Sequence, residues 1–237
     1  MSALTAGRRL RLKLDIAYPA LRASSERIWC SPRIEELYPV YLRTMHGIVR
    51  SAVPLLECAS ARARELACDD PVAAALADYY ARHAEEERGH DGWLLEDLAA
   101  LGADPGQPLR EIPSPRVATF AGAQYYWLRH HHPVALLGHM AVVEGYPPQV
   151  GFAARLQRLT GYPADAFRAV RRHERLDIRH RRELYDLLDA LALEPEHEAL
   201  IGISALHTLH AAIGVLDEIH ASAASARTTP AGAVGRR

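Results

Sequence analysis

Two short stretches decide the fold of this chain: HAEEERGH at residues 83–90 and HERLDIRH at residues 173–180. In both, an acidic residue lies four positions after the first histidine, and a second histidine lies seven positions after that first histidine. At about 100° per residue in an α-helix, these positions fall within roughly a 60° arc. Composition alone predicts roughly 0.08 such triplets in the chain. The two triplets indicate a helical protein that binds metal between helices.

The rest of the sequence also has helical periodicity, and period-two runs of β-formers are nearly absent, so we predict an all-α fold. A first helix should end near Trp29, and a second should cover 32–67 with a kink at Pro54. Asp70 and Pro71 cap a third helix, which should continue to Leu101. The later predicted helices are one over 117–129, one reaching Glu144, a short one to 159, and two long ones over 163–193 and 195–222.

Composition limits the possible classes of protein. With 237 residues, 49% of them apolar and 24% charged, the chain suits one globular domain, which we place at residues 1–222. Residues 223–237 are rich in Ala, Ser, Thr and Gly and predict a disordered tail. The net charge of −1 gives no basic field for nucleic acid. Charges or histidines interrupt the apolar runs, so we expect no membrane span.

Cysteine use and the N-terminus predict the compartment. The three cysteines form no CxxC pair, and the N-terminus has no signal-peptide pattern. We therefore expect a cytoplasmic protein without disulfides. An apolar helix face could belong to the core or to a dimer interface, so a homodimer stays open.

The metal hypothesis rests on the cost of burying charge. Buried imidazoles and carboxylates need partners, and a divalent cation supplies them. Glu144 adds a third source of ligand, because this single carboxylate ends an otherwise apolar helix. Mixed imidazole and carboxylate ligands from several helices are typical of carboxylate-bridged dimetal sites and favour iron, whereas zinc prefers fewer, tetrahedral ligands.

These motifs resemble the heme-oxygenase-like diiron oxidases, also described as iron-containing redox enzymes. The segments that carry the resemblance are 86–98, 138–145 and 173–180, of which the last is the most specific. The resemblance implies a bundle of about seven helices and two Fe²⁺ ions. It assigns Glu87, His90 and His173 to one iron. Asp177 and His180 would serve the second iron, with Glu144 bridging or nearby; His83 and Glu86 remain further candidates.

By the same resemblance, the protein would activate dioxygen and oxidise a small biosynthetic substrate, such as an amino acid or a fatty acid. The expected partners are an external electron donor and a small, carboxylate-bearing molecule. Two other classes stay open: a thiaminase-like, metal-free hydrolase of the same fold with a cysteine nucleophile, and a haem- or iron-binding protein without enzymatic activity. Six further histidines receive no ligand role: His130, His131, His132, His207, His210 and His220.

Overall fold

The computed structural model describes residues 4–225, with side chains for residues 4–222. Within this part of the chain every regular element is a helix, which confirms the all-α prediction. One 3-10 helix covers Ala164–Phe167. The α-helices are α1 (Ala6–Trp29), α2 (Ile34–Val49), α3 (Ala52–Leu66), α4 (Pro71–Glu87), α5 (His90–Ala100), α6 (Gln107–Arg110), α7 (Pro115–His130), α8 (Ala135–Val143), α9 (Phe152–Thr160), α10 (Arg168–Ala190) and α11 (Pro195–Ser225).

The segment predicted as the second helix forms two helices, so the prediction of a single kinked helix over 32–67 was wrong. The chain turns at Arg50 and Ser51, and α3 starts directly afterwards. Pro54 therefore lies in the first turn of α3, where a backbone N–H needs no helical partner. Proline begins a new helix here instead of bending an existing one.

The predicted third helix is also divided, at the motif that carries the first triplet. Asp70 caps α4 as expected, and its side chain accepts hydrogen bonds from the backbone N–H groups of Val72 and Ala73. The helix stops at Glu87, because Gly89 adopts the left-handed conformation with φ 85°. His90 then begins α5 as a separate helix.

Two boundaries near the C-terminal half also differ from the predictions. A 3-10 turn occupies the predicted start of the long late helix, and the short helix α6 lies between the predicted third helix and the predicted helix over 117–129. The last helix continues to Ser225, into the predicted tail; residues 226–237 lie outside the described residues.

Close packing of α8 on α11 forms the centre of the bundle. A Cβ atom at Gly138 would lie 2.1 Å from the carbonyl oxygen of Ile201, so only glycine permits this approach. Among the described helices, only α11 is long and apolar enough to cross a membrane by length and composition. Its buried residues Ile201, Ala205 and Leu209 belong to the main hydrophobic core, as in the core helix of a globular protein.

A buried carboxylate fixes α10 against α5. Asp97 on α5 is fully buried and accepts hydrogen bonds from the backbone N–H groups of Arg168 and Ala169, at 2.9 and 3.0 Å. These are the first N–H groups of α10, which otherwise lack partners within the helix. The cap sets the position of the helix that carries the second triplet.

Candidate metal centre

Four helices bring the predicted ligand residues together inside the bundle. α4 supplies the first histidine and last glutamate of its motif, and His90 begins α5. Glu144 is the C-terminal cap of α8, and α10 supplies the second triplet. All six predicted ligands therefore lie in one region, although they come from segments far apart in sequence.

The first group of potential ligands consists of Glu87, His90 and His173, whose ligand atoms lie within 4.8 Å of one another. Nδ1 of His90 is 3.0 Å from Oε2 of Glu87. Nδ1 of His173 donates to the carbonyl oxygen of Ala169 at 2.8 Å, and a carbonyl can only accept. The proton is therefore on Nδ1, which leaves the lone pair of Nε2 available to a metal.

The second group consists of His83, Glu86 and His180, again with ligand atoms within 4.8 Å. Both histidines are buried, whereas the glutamate is exposed. Nε2 of His180 lies 3.1 Å from Oε2 of Glu86, and that same oxygen accepts from Arg179 at 2.8 Å. His180 was predicted to be a ligand, but the motif alone did not determine which residues would surround it.

Two carboxylates, Glu87 of the first group and Glu144, contact the second group. Oε1 of Glu87 is 3.7 Å from Nδ1 of His180 and 4.0 Å from Nε2 of His83, while its other oxygen contacts His90. Glu144 reaches the second group from the C-terminal end of α8, with Oε1 3.1 Å from Nε2 of His83. Both carboxylates are positioned to interact with the second group, and Glu87 contacts both groups.

Two buried atoms in this region have no hydrogen-bond partner among the described residues. They are Oε2 of Glu144 and Nδ1 of His180, which lie 3.6 Å apart. Leaving a buried acceptor and an imidazole nitrogen unsatisfied is costly, and natural proteins rarely do so. The donor set of imidazoles and carboxylates around these atoms fits a divalent transition metal such as iron.

The electrostatics of the site follow from its concentration of carboxylates. Burial alone would lower the pKa of His83, but Glu144, Glu87 and Glu86 raise it overall. Burial would raise the pKa of Glu87, yet its hydrogen bond to His90 and the nearby imidazoles lower it. Burial, reinforced by the charges of Glu144 and Glu87, raises the pKa of Asp177 to about 8. Repulsion from the neighbouring carboxylates therefore adds to burial in favouring the neutral form of Asp177.

A cavity of about 90 Å³ opens on the metal-centre side chains. Most of its wall is aliphatic, and Ser51 and His139 contribute polar atoms. Among the described residues that line it, none is lysine or arginine. The lining residues from the candidate centre are His83, Glu87, Glu144, His173 and Asp177.

A family model described as "iron-containing redox enzyme" matches residues 49–213, which is more than half of the chain and includes every predicted ligand. The chain belongs to this family. A search of curated proteins gave no significant match for this member of the iron-containing redox enzyme family.

Solved structures support the fold of this iron-containing redox enzyme. A domain of unknown function from Shewanella denitrificans OS217, described as having a heme oxygenase-like fold, is similar with a TM-score of 0.79 and 17% identity. The match covers 97% of this chain and 98% of that one. A TenA homolog from Pseudomonas syringae pv. tomato DC3000 matches with a TM-score of 0.62 and 9% identity, over 88% and 91% of the two chains. At these identities the likeness shows the heme oxygenase-like fold.

One histidine without an assigned role takes part in a different contact. Nε2 of His132 donates to the Oδ2 atom of Asp70 at 2.8 Å, and its Nδ1 accepts from the N–H of Val134 at 3.1 Å. His197 lies beside this pair, with ring centroids 4.7 Å apart. The contact joins the start of α4 to the α7–α8 connection and the start of α11. Its hydrogen bonds satisfy both ring nitrogens of His132.

Sequence reasoning left His83 and Glu86 as secondary candidates and gave His139 no role. The break at Gly89 explains why His83 and Glu86 were only secondary candidates. Helical spacing no longer relates the two histidines of the first triplet. His139 has no acidic neighbour at a ligand spacing. His139 lies near the candidate metal centre because α8 lines the cavity. Sequence spacing cannot indicate this placement.

Proposed function

We propose that this iron-containing redox enzyme is a non-haem diiron oxidase or oxygenase that uses dioxygen to oxidise a small biosynthetic substrate. The observation that carries the proposal is the pair of histidine and carboxylate groups with Glu87 in contact with both. A pair of adjacent groups suits two metal ions joined by a carboxylate, as in helical dimetal proteins. The family description supports iron and redox chemistry in general.

The distances support an assignment of the residues to two ions. Glu87, His90 and His173 would hold one iron. His83 and His180 would hold the other, with Glu86 at its outer side. Glu144 and Asp177 would complete the site from the cavity side. Relative to the expectation from the motifs, this assignment promotes His83 to a ligand and makes Glu87 the bridging carboxylate.

Bound ferrous ions would supply the electrons and coordination positions needed for dioxygen chemistry, with an external donor restoring the reduced state. The protein side chains have separate tasks. The hydrogen bond from His173 to Ala169 fixes the orientation of that imidazole. Arg179 balances the charge of Glu86. Asp177 holds a proton in the metal-free protein, and we expect it to release that proton when a cation binds.

The cavity supports a small, largely apolar substrate. Its aliphatic wall would exclude water from the reacting carbon and hold it against the ligand side chains. Amino acids and fatty acids both remain proposals for the substrate class. A substrate carboxylate would meet no cationic side chain among the described lining residues, so it would have to bind at the metal end of the cavity.

The test compares iron content and oxygen use in Glu87→Gln and Glu85→Gln. Glu85 is exposed and pairs with Arg88, which makes its variant a matched control from the same helix. We expect about two irons per chain in the wild type and in Glu85→Gln, and a loss of iron from both positions in Glu87→Gln. Iron content below one per chain in the wild type after anaerobic loading, or oxygen uptake equal in metal-free protein, would overturn the proposal.

No feature of the described residues favours the metal-free hydrolase. Its nucleophile would be a cysteine, but Cys30 and Cys68 are exposed and Cys58 packs at the edge of the hydrophobic core. None of the three lines the described cavity. A haem site would need an axial histidine above an apolar pocket, whereas four carboxylates converge here.

A further inference from the structure

His139 lies on α8, five residues before Glu144, and lines the cavity beside the candidate metal centre. Its Nδ1 atom is 3.1 Å from the hydroxyl oxygen of Thr208. The ring also contacts Phe120 edge to face, with centroids 5.1 Å apart. These two contacts hold the imidazole in one orientation at the cavity wall.

A buried polar network determines which nitrogen of His139 carries the proton. Thr208 donates its only hydroxyl proton to the carbonyl oxygen of Ser204 at 2.8 Å. The same hydroxyl oxygen accepts from the Gln124 amide at 3.2 Å, and the Ser204 hydroxyl donates to the other end of that amide at 3.0 Å. The threonine oxygen can therefore only accept from His139, so Nδ1 bears the hydrogen.

The ring is neutral in this arrangement. Burial, with a smaller contribution from the charge of His207, lowers the pKa of His139 to about 4. With Nδ1 protonated, Nε2 of the neutral ring carries a lone pair. Among residues 4–222, no hydrogen bond is formed by this nitrogen. The side chain is partly accessible and lines the cavity.

We infer that His139 is a substrate-positioning residue whose Nε2 accepts a hydrogen bond from an N–H or O–H group on the substrate. The inference rests on the proposed function, because it takes this cavity as the substrate site. It narrows the substrate to an aliphatic molecule that bears a hydrogen-bond donor, such as an amine or a hydroxyl. A group that can only accept hydrogen bonds finds no donor at this position.

The expected selectivity comes from a polar atom, Nε2 of His139, that has no hydrogen-bond partner among the described residues. A substrate with a donor satisfies Nε2, whereas an isomer without one leaves a desolvated lone pair unpaired. The aliphatic residues Ile48, Leu55 and Met140 line the same cavity and are indifferent to this distinction. Compared with these aliphatic residues, His139 therefore distinguishes molecules of equal size and similar hydrophobicity.

The experiment uses two isomers, 1-pentanol and methyl butyl ether, of which only the alcohol has an O–H group. Dissociation constants are measured by calorimetry for the full chain, both metal-free and loaded anaerobically with Fe²⁺. We expect the wild type to bind pentanol about tenfold more tightly than the ether. Pentylamine in a parallel titration separates an amine donor from a hydroxyl donor.

The variants isolate His139 from the carboxylates nearby. His139→Asn keeps an amide N–H toward Thr208 but is too short to offer an acceptor in place of Nε2, so the preference should fall to about twofold or less. His139→Gln can place its amide oxygen near the position of the lost nitrogen and should restore most of the preference for pentanol. Thr208→Val removes the acceptor that fixes the proton and should weaken the preference with the imidazole still present.

An unchanged preference in folded His139→Asn, or no preference in the wild type, would overturn the inference. Thr208→Val gives an independent reading if His139→Asn does not fold, and full preference in that variant would equally count against it. Iron content is measured on the same samples. Two irons without discrimination would reject only this inference, and discrimination without iron would reject only the proposed diiron function.

Discussion

Oε2 of Glu144 and Nδ1 of His180 lie 3.6 Å apart, buried, and neither has a hydrogen-bond partner among the described residues. One atom comes from the end of α8 and the other from the middle of α10. A bound cation is the simplest group that would satisfy both.

The first prediction concerns the number of irons held by each group. His180→Ala should reduce iron from about two per chain to about one, because the first group keeps its three ligand residues. His173→Ala should remove the other ion. The measurement is iron per folded chain after anaerobic loading and desalting. His210→Ala is the control, since His210 is exposed on α11, and equal iron loss in that variant would contradict the assignment.

The second prediction follows from the raised pKa of Asp177. A carboxyl with a folded pKa of about 8 and an ordinary pKa of 3.8 binds a proton more tightly in the folded state. Its contribution to stability is fully present below about pH 4 and is lost as pH rises through about 8. Asp177→Asn should therefore stabilise the metal-free protein more at pH 8.5 than at pH 5, by on the order of 1–3 kcal/mol.

Denaturant unfolding of metal-free wild type and Asp177→Asn at the two pH values measures this difference. The same substitution should weaken iron binding, since an amide is a poorer ligand than a carboxylate. A stabilisation independent of pH would show that titration of Asp177 is not its cause.

The third prediction concerns the cap that Asp97 forms on α10. Asp97→Ala should lower the free energy of unfolding by about 2 kcal/mol, because it leaves the N–H groups of Arg168 and Ala169 without an acceptor. It should also weaken iron binding, since His173 is one turn further along the same helix. Asp186→Ala on the exposed face of α10 is the matched control and should change stability little. Similar losses in both variants would contradict a capping role.

The fourth prediction tests the close approach of α8 and α11. Gly138→Ala should destabilise the protein by about 2 kcal/mol or more, because the new methyl group would overlap the Ile201 carbonyl. Gly122→Ala in α7 meets nothing within 4 Å and should be neutral or stabilising by a few tenths to about 1 kcal/mol. Thermal unfolding of the two variants provides the comparison. Equal melting temperatures would indicate that α8 can shift to accommodate the methyl group.

The sequence by itself determined the helical class and the identity of the ligand region. Helical periodicity is a local property, so the spacing in residues 173–180 predicted that His173, Asp177 and His180 share one side of α10. Cap chemistry was equally local, and Asp70 begins α4 as expected.

Only the tertiary structure decided where helices break and which side chains meet. Nothing local required the left-handed conformation at Gly89, which separates His90 from the helix of His83 and turns it toward His173. The contact of Glu144 with His83 and the fixed proton on His139 both depend on how α8 packs against its neighbours. Such contacts join residues more than 60 positions apart, and periodicity carries no information about pairs at that separation.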